Sequence, residues 1–133
     1  MNNKDGILAL DFGTIRVGVA ISHGFVAEAL ESLEYLGKED NFVESLKKIV
    51  KEQKVTDIVI GLPLKNGEET EQSSWTRKQV RKISEKIETR FSFVDESYSS
   101  LSAKDQIKKN GDLDSESAKI ILEQYLKEDE ARN

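Results

Sequence analysis

The stretch ILALDFGTIRVGVAIS (residues 7–22) places an aspartate at the end of an apolar run, two residues before a Gly-Thr turn. The apolar run over 6–12 predicts a buried strand, and the alternating residues 15–22 predict a second strand that pairs with it through the turn. Asp11 stands where the first strand would otherwise continue into the core. Because an isolated carboxylate removed from water is normally paired, protonated or bound to a metal, the rest of the chain must explain Asp11.

Length and composition favour a single domain over residues 1–133, since domains cluster around ~100–150 residues. The chain has no cysteine, which excludes disulfides, thiolate zinc sites and cysteine nucleophiles, and its one histidine, His23, excludes a multi-histidine metal site. No apolar run approaches the ~18 residues of a membrane span, and the N-terminus has no signal-peptide pattern. We therefore expect a cytoplasmic protein with no membrane partner.

The net charge of −5 argues mildly against a non-specific nucleic-acid binder, which usually carries a basic surface. The charges are nevertheless segregated along the chain. Lys and Arg dominate residues 76–90, whereas acidic residues gather in 67–71 and 126–132. A solvated helix face is the simplest explanation of the basic run, but an enzyme that acts on nucleic acid remains compatible with it.

Periodicity along the rest of the chain predicts helices alternating with strands. The order is three strands, helix, strand, helix, strand and two helices, which is typical of a mixed sheet with helices on its faces. The first three strands are expected to form a meander. The elements predicted after the first two strands are a strand in 25–37, a helix in 39–54, a strand in 55–64, a helix in 72–88, a strand in 91–97, and helices in 100–111 and 114–126.

Carboxylates stand at positions where structure alone would not favour them. Asp11 ends the first strand, Asp95 and Glu96 end the strand that starts at Phe91, and Asp114 opens the last helix on its apolar side. Each has an ordinary explanation, such as a turn residue for Asp11 or a helix N-cap for Asp114. However, parallel strands bring their carboxyl ends to one crevice, where open α/β sheets bind ligands.

Three carboxylates at one crevice would repel one another unless a cation lay among them. Because the chain has no cysteine and one histidine, the donor atoms are all oxygen, the set that Mg²⁺ and Mn²⁺ prefer. A carboxylate cluster that holds two such ions is a common device for phosphodiester cleavage, in which one ion activates water and the other stabilises the leaving oxygen.

Four stretches in this order resemble the YqgF family, also called RuvX, of RNase H-like nucleases. They are LALDFGTIRVGVAIS, IVIGLPLKNGEETEQSSWTRKQV, VDES and DSESAKIILEQYL. The resemblance covers nearly the whole chain and implies a five-stranded RNase H-like mixed sheet flanked by helices. It also implies that Asp11, Glu96 and Asp114 are the catalytic, metal-binding carboxylates, with Asp95 as a neighbour.

The resemblance implies a hydrolase that matures the 5′ end of precursor 16S ribosomal RNA, with resolution of Holliday junctions as an alternative. The partner would then be structured RNA or branched DNA, bound by a monomer or a homodimer. Arg16 and Lys65 are expected to contact phosphate. Tyr98 is a candidate for base stacking and Ser99 for a phosphate contact, although a packing role and a capping role are the ordinary alternatives.

The chain departs from the family pattern at three positions. Ser97 stands where the family usually has Arg, Ile15 where it usually has a basic residue, and His23 where aspartate is common. The first two changes remove positive charge near the expected phosphate path. A catalytically inactive nucleic-acid-binding module therefore remains an alternative. An ATP-binding domain of the actin and sugar-kinase type is disfavoured, because the chain is too short for two such domains and has no P-loop motif.

Overall fold

The computed structural model describes residues 5–96 and 113–132. Within these ranges the chain forms five strands and three helices. They are β1 (Gly6–Phe12), β2 (Arg16–Ser22), β3 (Ala27–Glu34), α1 (Glu39–Glu52), β4 (Val55–Leu62), α2 (Glu71–Ser84), β5 (Arg90–Asp95) and α3 (Leu113–Arg132). The helix predicted for 100–111 lies outside the described residues.

The strands form one sheet in the order β3-β2-β1-β4-β5. β2 pairs antiparallel with both β1 and β3, whereas β4 pairs parallel with both β1 and β5. The predicted meander followed by parallel strands is therefore confirmed. Because β1, β4 and β5 run in the same direction, their carboxyl ends meet at one edge of the sheet. The turn between β1 and β2 lies at this same edge.

Each face of the sheet carries its own apolar cluster. On one face, α1 and α2 cover side chains such as Leu8, Leu10 and Phe12 of β1. On the other face, α3 covers Ala9 of β1 together with small and aliphatic residues of the neighbouring strands. Side chains alternate between the two faces of a strand, so Asp11 points to the same face as Ala9. The first carboxylate thus lies beneath α3.

Four aromatic side chains pack together under α1 and α2. Trp75 makes edge contacts with the rings of Phe12 and Tyr35, and Phe42 makes edge contacts with the same two rings. The Tyr35 hydroxyl donates a hydrogen bond of 2.5 Å to the side-chain oxygen of Gln79. Trp75 is therefore a packing residue of the core rather than a platform for a nucleobase.

The ends of α2 and α3 differ by several residues from the sequence prediction, and α1 ends two residues early, at Glu52. The prediction for α2 continued to residue 88, but the helix ends at Ser84 and a turn follows, in which Lys86 donates its backbone N–H to the carbonyl of Ile83. Ile87 is still buried, so periodicity alone extended the helix through this turn. α3 continues to Arg132, beyond the predicted end at residue 126. In the described part of the chain, no helix is long and apolar enough to cross a membrane.

Candidate active site

Two of the predicted carboxylates meet beneath α3. Asp11 lies near the end of β1, and Glu96 directly follows β5; both side chains are half-buried, and they share a hydrogen bond. Burial raises the pKa of the Glu96 carboxyl to about 9, and the Asp11 charge and hydrogen bond add to this effect. Burial also raises the pKa of Asp11. The two groups therefore share a proton near neutral pH when no cation is bound.

Backbone geometry fixes the position of Glu96. Its N–H donates a hydrogen bond of 3.0 Å to the carbonyl oxygen of Leu62, so Glu96 continues the pairing of β5 with β4 by one residue. Below it, Gly61 leaves room for the carboxylate, because a Cβ at this position would come within 3.0 Å of the Glu96 Oε2 atom and would overlap the Ile121 side chain. Gly61 therefore lets Glu96 and α3 lie close to β4.

The close approach of Gly18 to the backbone of α3 fixes the position of Asp114. Gly18 pairs with Asp11 across β1 and β2, and a Cβ on Gly18 would overlap the backbone carbonyl of Asp114. The pairing of β2 with β3 is interrupted next to this position. The neighbouring N–H of Val19 donates a hydrogen bond of 3.1 Å to Ser115 Oγ on α3. The first turn of α3 is thus anchored on β2, with Asp114 as its second residue rather than its N-cap.

Asp114 forms an ion pair with the side chain of Arg16. Arg16 Nε lies 3.4 Å from Asp114 Oδ2, and the two side chains are 55% and 36% exposed. An ion pair this exposed contributes about 1 kcal/mol or less. The Asp114 charge also reaches Asp11 and raises its pKa. The structure therefore places all three carboxylates at one edge, but only Asp11 and Glu96 touch, while Asp114 is engaged with Arg16.

Two of the residues that are expected to contact phosphate are described by the structure, and both lie at this same edge. Arg16 begins β2 directly after Ile15, whose side chain is 57% exposed and offers no charge. Lys65 is exposed in the loop after β4, where its backbone pairs with that of Glu68 in both directions at 2.9 Å. This tight turn presents the Lys65 side chain to solvent. The predictions for Ser97, Tyr98 and Ser99 fall outside the described residues.

The donor set fits a hard divalent cation. Among the described residues, no three Asp, Glu, His or Cys side chains lie close enough together to form a complete metal cage. The pair of Asp11 and Glu96 nevertheless offers oxygen atoms alone. Burial raises the pKa of both carboxyls, the charge of Asp114 raises that of Asp11 further, and the charge of Asp11 raises that of Glu96. A cation between them would relieve this conflict. Asp114 could join them as a third ligand by leaving Arg16.

Besides Gly61, which makes room for Glu96, the sequence analysis missed three residues that position the other carboxylates. Ser117 is buried on α3 and its hydroxyl hydrogen-bonds to Asp11, whereas Ser115 and Gly18 place Asp114. The signal for Gly18 was present, because a glycine inside a strand often marks the close approach of another backbone. The two serines carried no such signal, since serine near a helix start is usually a capping residue.

Replacing Ser115 by Ala should destabilise the protein by about 1–3 kcal/mol, because the Val19 N–H would lose its partner within the core. Urea unfolding measures this loss. The exposed Ser74→Ala on α2 is the matched control, for which we expect a change within ~0.5 kcal/mol. Equal unfolding midpoints for Ser115→Ala and the wild type would contradict the anchoring role of Ser115.

The sequence matches a known protein family and several named relatives. Residues 5–128 match the family described as RuvX: Holliday junction resolvase. A relative from Maridesulfovibrio salexigens is 41% identical, with 90% of this chain and 96% of the relative covered. A relative from Sulfurihydrogenibium sp. is 38% identical, with 90% of this chain and 88% of the relative covered. Both relatives carry the provisional name pre-16S rRNA nuclease.

A solved structure supports the fold. RuvC from T. thermophilus, in complex with a Holliday junction substrate, superposes with a TM-score of 0.57 at 9% sequence identity, covering 93% of this chain and 96% of that chain. Identity this low supports a statement about the fold alone. The mixed sheet with its flanking helices is an RNase H-like fold, as the sequence resemblance implied.

Proposed function

Because this chain belongs to the RuvX family and is thus a nuclease that hydrolyses phosphodiester bonds, we propose that it processes the 5′ end of precursor 16S ribosomal RNA. We propose Asp11, Glu96 and Asp114 as the catalytic residues, which hold Mg²⁺ or Mn²⁺. The observation that carries this proposal is the hydrogen-bonded, half-buried pair of Asp11 and Glu96 at the carboxyl edge of the sheet.

A purely structural role does not account for this pair. Two carboxyl groups in contact beneath a helix stabilise the fold less than an apolar pair of similar volume would, because burial disfavours the charged form of each. Strongly raised carboxyl pKa values in such a place are typical of a functional site. This argues against an inactive module that retained only the fold.

Each residue of the site has a role that follows from its position. A bound divalent cation would supply stabilisation of the charge that develops on the phosphate and activation of the attacking water. Asp11 and Glu96 would give up their shared proton to hold it, and Asp114 would complete the ligand set. Arg16, now paired with Asp114 at 3.4 Å, would then be free to contact a phosphate held beside the carboxylates.

The proposed substrate class follows from the relatives, two of which carry a name that specifies pre-16S rRNA. Branched DNA is the second candidate, because the family description names Holliday junctions. All three carboxylates come from one chain, so each site is complete without a second copy. A monomer would serve for the RNA, whereas the two cuts that resolve a four-way junction favour a homodimer. Precursor ribosomal RNA as substrate would place the protein in the cytoplasm.

Cleavage of two labelled substrates in parallel tests the substrate class. One is a precursor RNA that carries the 16S 5′ leader, and the other is a four-way DNA junction; each is incubated with Mg²⁺, Mn²⁺ or EDTA. We expect cleavage of the leader RNA that EDTA abolishes. Cleavage of the junction alone would transfer the function to a resolvase. A folded protein that cleaves neither substrate would support the binding module instead.

Mn²⁺ or Mg²⁺ should raise the melting temperature of the wild-type protein, because a cation that binds only the folded state stabilises it. At a concentration of about ten times the Kd the gain is about 1.4 kcal/mol, or roughly 3–6 °C for a chain of this size. Differential scanning fluorimetry with and without EDTA measures it. Asp11→Asn is the matched variant, and an equal metal-induced shift in this variant would contradict binding at Asp11.

A further inference from the structure

The exposed face of α2 carries a row of basic side chains that the proposed cleavage site does not use. Arg77, Lys78, Arg81 and Lys82 are all exposed, and their spacing of one and four residues puts them on one side of the helix. We refer to these four residues as the α2 basic strip. Their clustering contrasts with the net charge of −5 for the whole chain.

Within the part of the chain that the structure describes, three of the four basic groups lack an ion-pair partner. Arg77 alone is paired, through Nε and Nη2 to the two carboxylate oxygens of Glu69 at 3.0 and 2.9 Å. Lys78, Arg81 and Lys82 lie within 4.0 Å of no acidic group among these residues. Neighbouring like charges on a helix face repel one another, so the row does not serve helix stability.

The helix dipole explains only part of the row. Arg81 and Lys82 lie in the last turn of α2, where positive charge interacts favourably with the carbonyl end of a helix. Lys78 lies one turn earlier and gains little from this effect. A ligand that carries several negative charges accounts for the whole row.

The α2 basic strip starts over β5, an outer strand of the sheet. The Arg77 guanidinium lies 4.9 Å from the ring centre of Phe93 on β5, only three residues before Glu96. Its partner Glu69 belongs to the loop that connects Lys65 to α2. From Arg77 the strip runs along α2 for about 8 Å, at 1.5 Å per residue. The strip and the carboxylates lie on opposite faces of the sheet, so a nucleic acid that leaves the carboxylates would meet the strip after passing around β5.

The chemistry of the strip suits a phosphate backbone rather than exposed bases. Proteins that bind single strands combine basic grooves with aromatic platforms for the bases. The one aromatic residue of α2, Trp75, packs into the core, and the nearby Phe93 is covered by Arg77. The length of the strip corresponds to about two phosphates along one strand of a duplex.

We propose that the α2 basic strip binds the phosphate backbone of a double-stranded arm of the RNA that flanks the cleavage site. This inference rests on the proposed function for its substrate class. Lys78, Arg81 and Lys82 supply the charges, whereas Arg77 is fixed by Glu69 and Phe93 and orients the start of the strip. Binding here positions the substrate and takes no part in the chemical step.

Neutralising the strip tests the proposal by binding alone. The triple variant Lys78→Gln, Arg81→Gln, Lys82→Gln is compared with Lys47→Gln, Lys48→Gln, Lys51→Gln, which removes the same charge from exposed positions on α1. Fluorescence anisotropy in EDTA measures binding to a leader hairpin that contains a duplex arm, from 50 to 200 mM KCl. A third variant, Lys78→Arg, Arg81→Lys, Lys82→Arg, keeps the charge and serves as the rescue.

The α2 triple variant should weaken binding of the hairpin by about 10-fold or more and should reduce the slope of log K against log salt by about 2. The α1 triple variant and the charge-retaining variant should stay within about twofold of the wild type. An equal loss for the α1 variant, or wild-type binding by the α2 variant, would overturn the proposal.

A single-stranded RNA of the same length separates duplex binding from general charge. The proposal requires that the α2 triple variant lose more affinity for the duplex arm than for the single strand, and equal losses would contradict it. The proposed function is tested separately by metal-dependent cleavage with the wild type. Unchanged binding with active cleavage would refute only the strip, whereas altered binding without cleavage would refute only the nuclease assignment.

Discussion

Replacing Asp11 by Asn should abolish cleavage and at the same time make the metal-free protein harder to unfold. The amide keeps the shape of the side chain but removes one charge from the contact with Glu96, so the remaining carboxyl is no longer held beside a second acid. The same change removes a metal ligand. Since metal stabilisation of the transition state amounts to several kcal/mol, the rate should fall by at least about 10³-fold.

The two effects are measured separately. Single-turnover cleavage in Mn²⁺ gives the rate, and urea unfolding in EDTA gives the stability. Asp40→Asn, an exposed aspartate at the start of α1, is the matched control and should leave cleavage unchanged. An Asp11→Asn variant that cleaves at the wild-type rate would exclude Asp11 as a metal ligand.

The stability of the metal-free protein should also depend on pH, because of the same pair of buried carboxyl groups. Because the folded-state pKa of Glu96 lies above its ordinary value, this group favours folding at low pH, where it is protonated in both states. This contribution to the free energy of unfolding is lost as the pH rises from the ordinary glutamate pKa of 4.5 towards about 9. Wild-type stability in EDTA should therefore fall across this window. The fall should be smaller in Asp11→Asn, because the neighbouring charge is gone.

Replacing Gly18 by Ala is expected to displace the first turn of α3 and thereby to damage both stability and catalysis. The added Cβ would overlap the backbone carbonyl of Asp114. Because this clash is with backbone, a side-chain rotation cannot relieve it. Overpacking of this kind costs about 1–3 kcal/mol. A shift of about 1 Å in a catalytic group lowers rates by about 100-fold. The Ser115 anchor on Val19 would be strained by the same movement.

Cleavage by Gly18→Ala is compared with cleavage by Gly24→Ala, and urea unfolding of Gly18→Ala is compared with that of the wild type. Gly24 lies in the turn after β2, at the opposite end of the sheet from the carboxylates, and a Cβ there would meet nothing within 4 Å. Its φ of +159° strains an alanine, so this variant is a control for cleavage alone. Gly24→Ala should therefore retain wild-type cleavage. Wild-type cleavage by Gly18→Ala would show that the approach of α3 to β2 does not set the position of Asp114.

Much of the fold followed from local patterns. Alternation in residues 15–22 and the continuous apolar run of β4 specified strands, because one or both faces of these strands are buried. The end of α2 was missed because Ile87 keeps the helical spacing of buried residues after the helix has ended at Ser84. Hydrophobic periodicity records burial, and a turn can bury a side chain as well as a helix can.

The site was predictable only in part. Asp11 and Glu96 stood out because each carboxylate follows an apolar strand, and topology brings the ends of parallel strands together. The ion pair of Arg16 with Asp114 joins residues 98 positions apart and depends on how closely α3 approaches β2. No sequence pattern within either segment predicts this ion pair, so only the folded structure reveals it.

The central claim is that the three carboxylates hold the divalent cation used in cleavage. A crystal structure grown with Mn²⁺, with an anomalous difference map, tests it most directly. The account predicts a peak bonded to Asp11, Glu96 and Asp114, with the hydrogen bond between Asp11 and Glu96 lost and Arg16 moved away from Asp114. A map without a peak at these residues, with the hydrogen bond between Asp11 and Glu96 intact at saturating Mn²⁺, would contradict it.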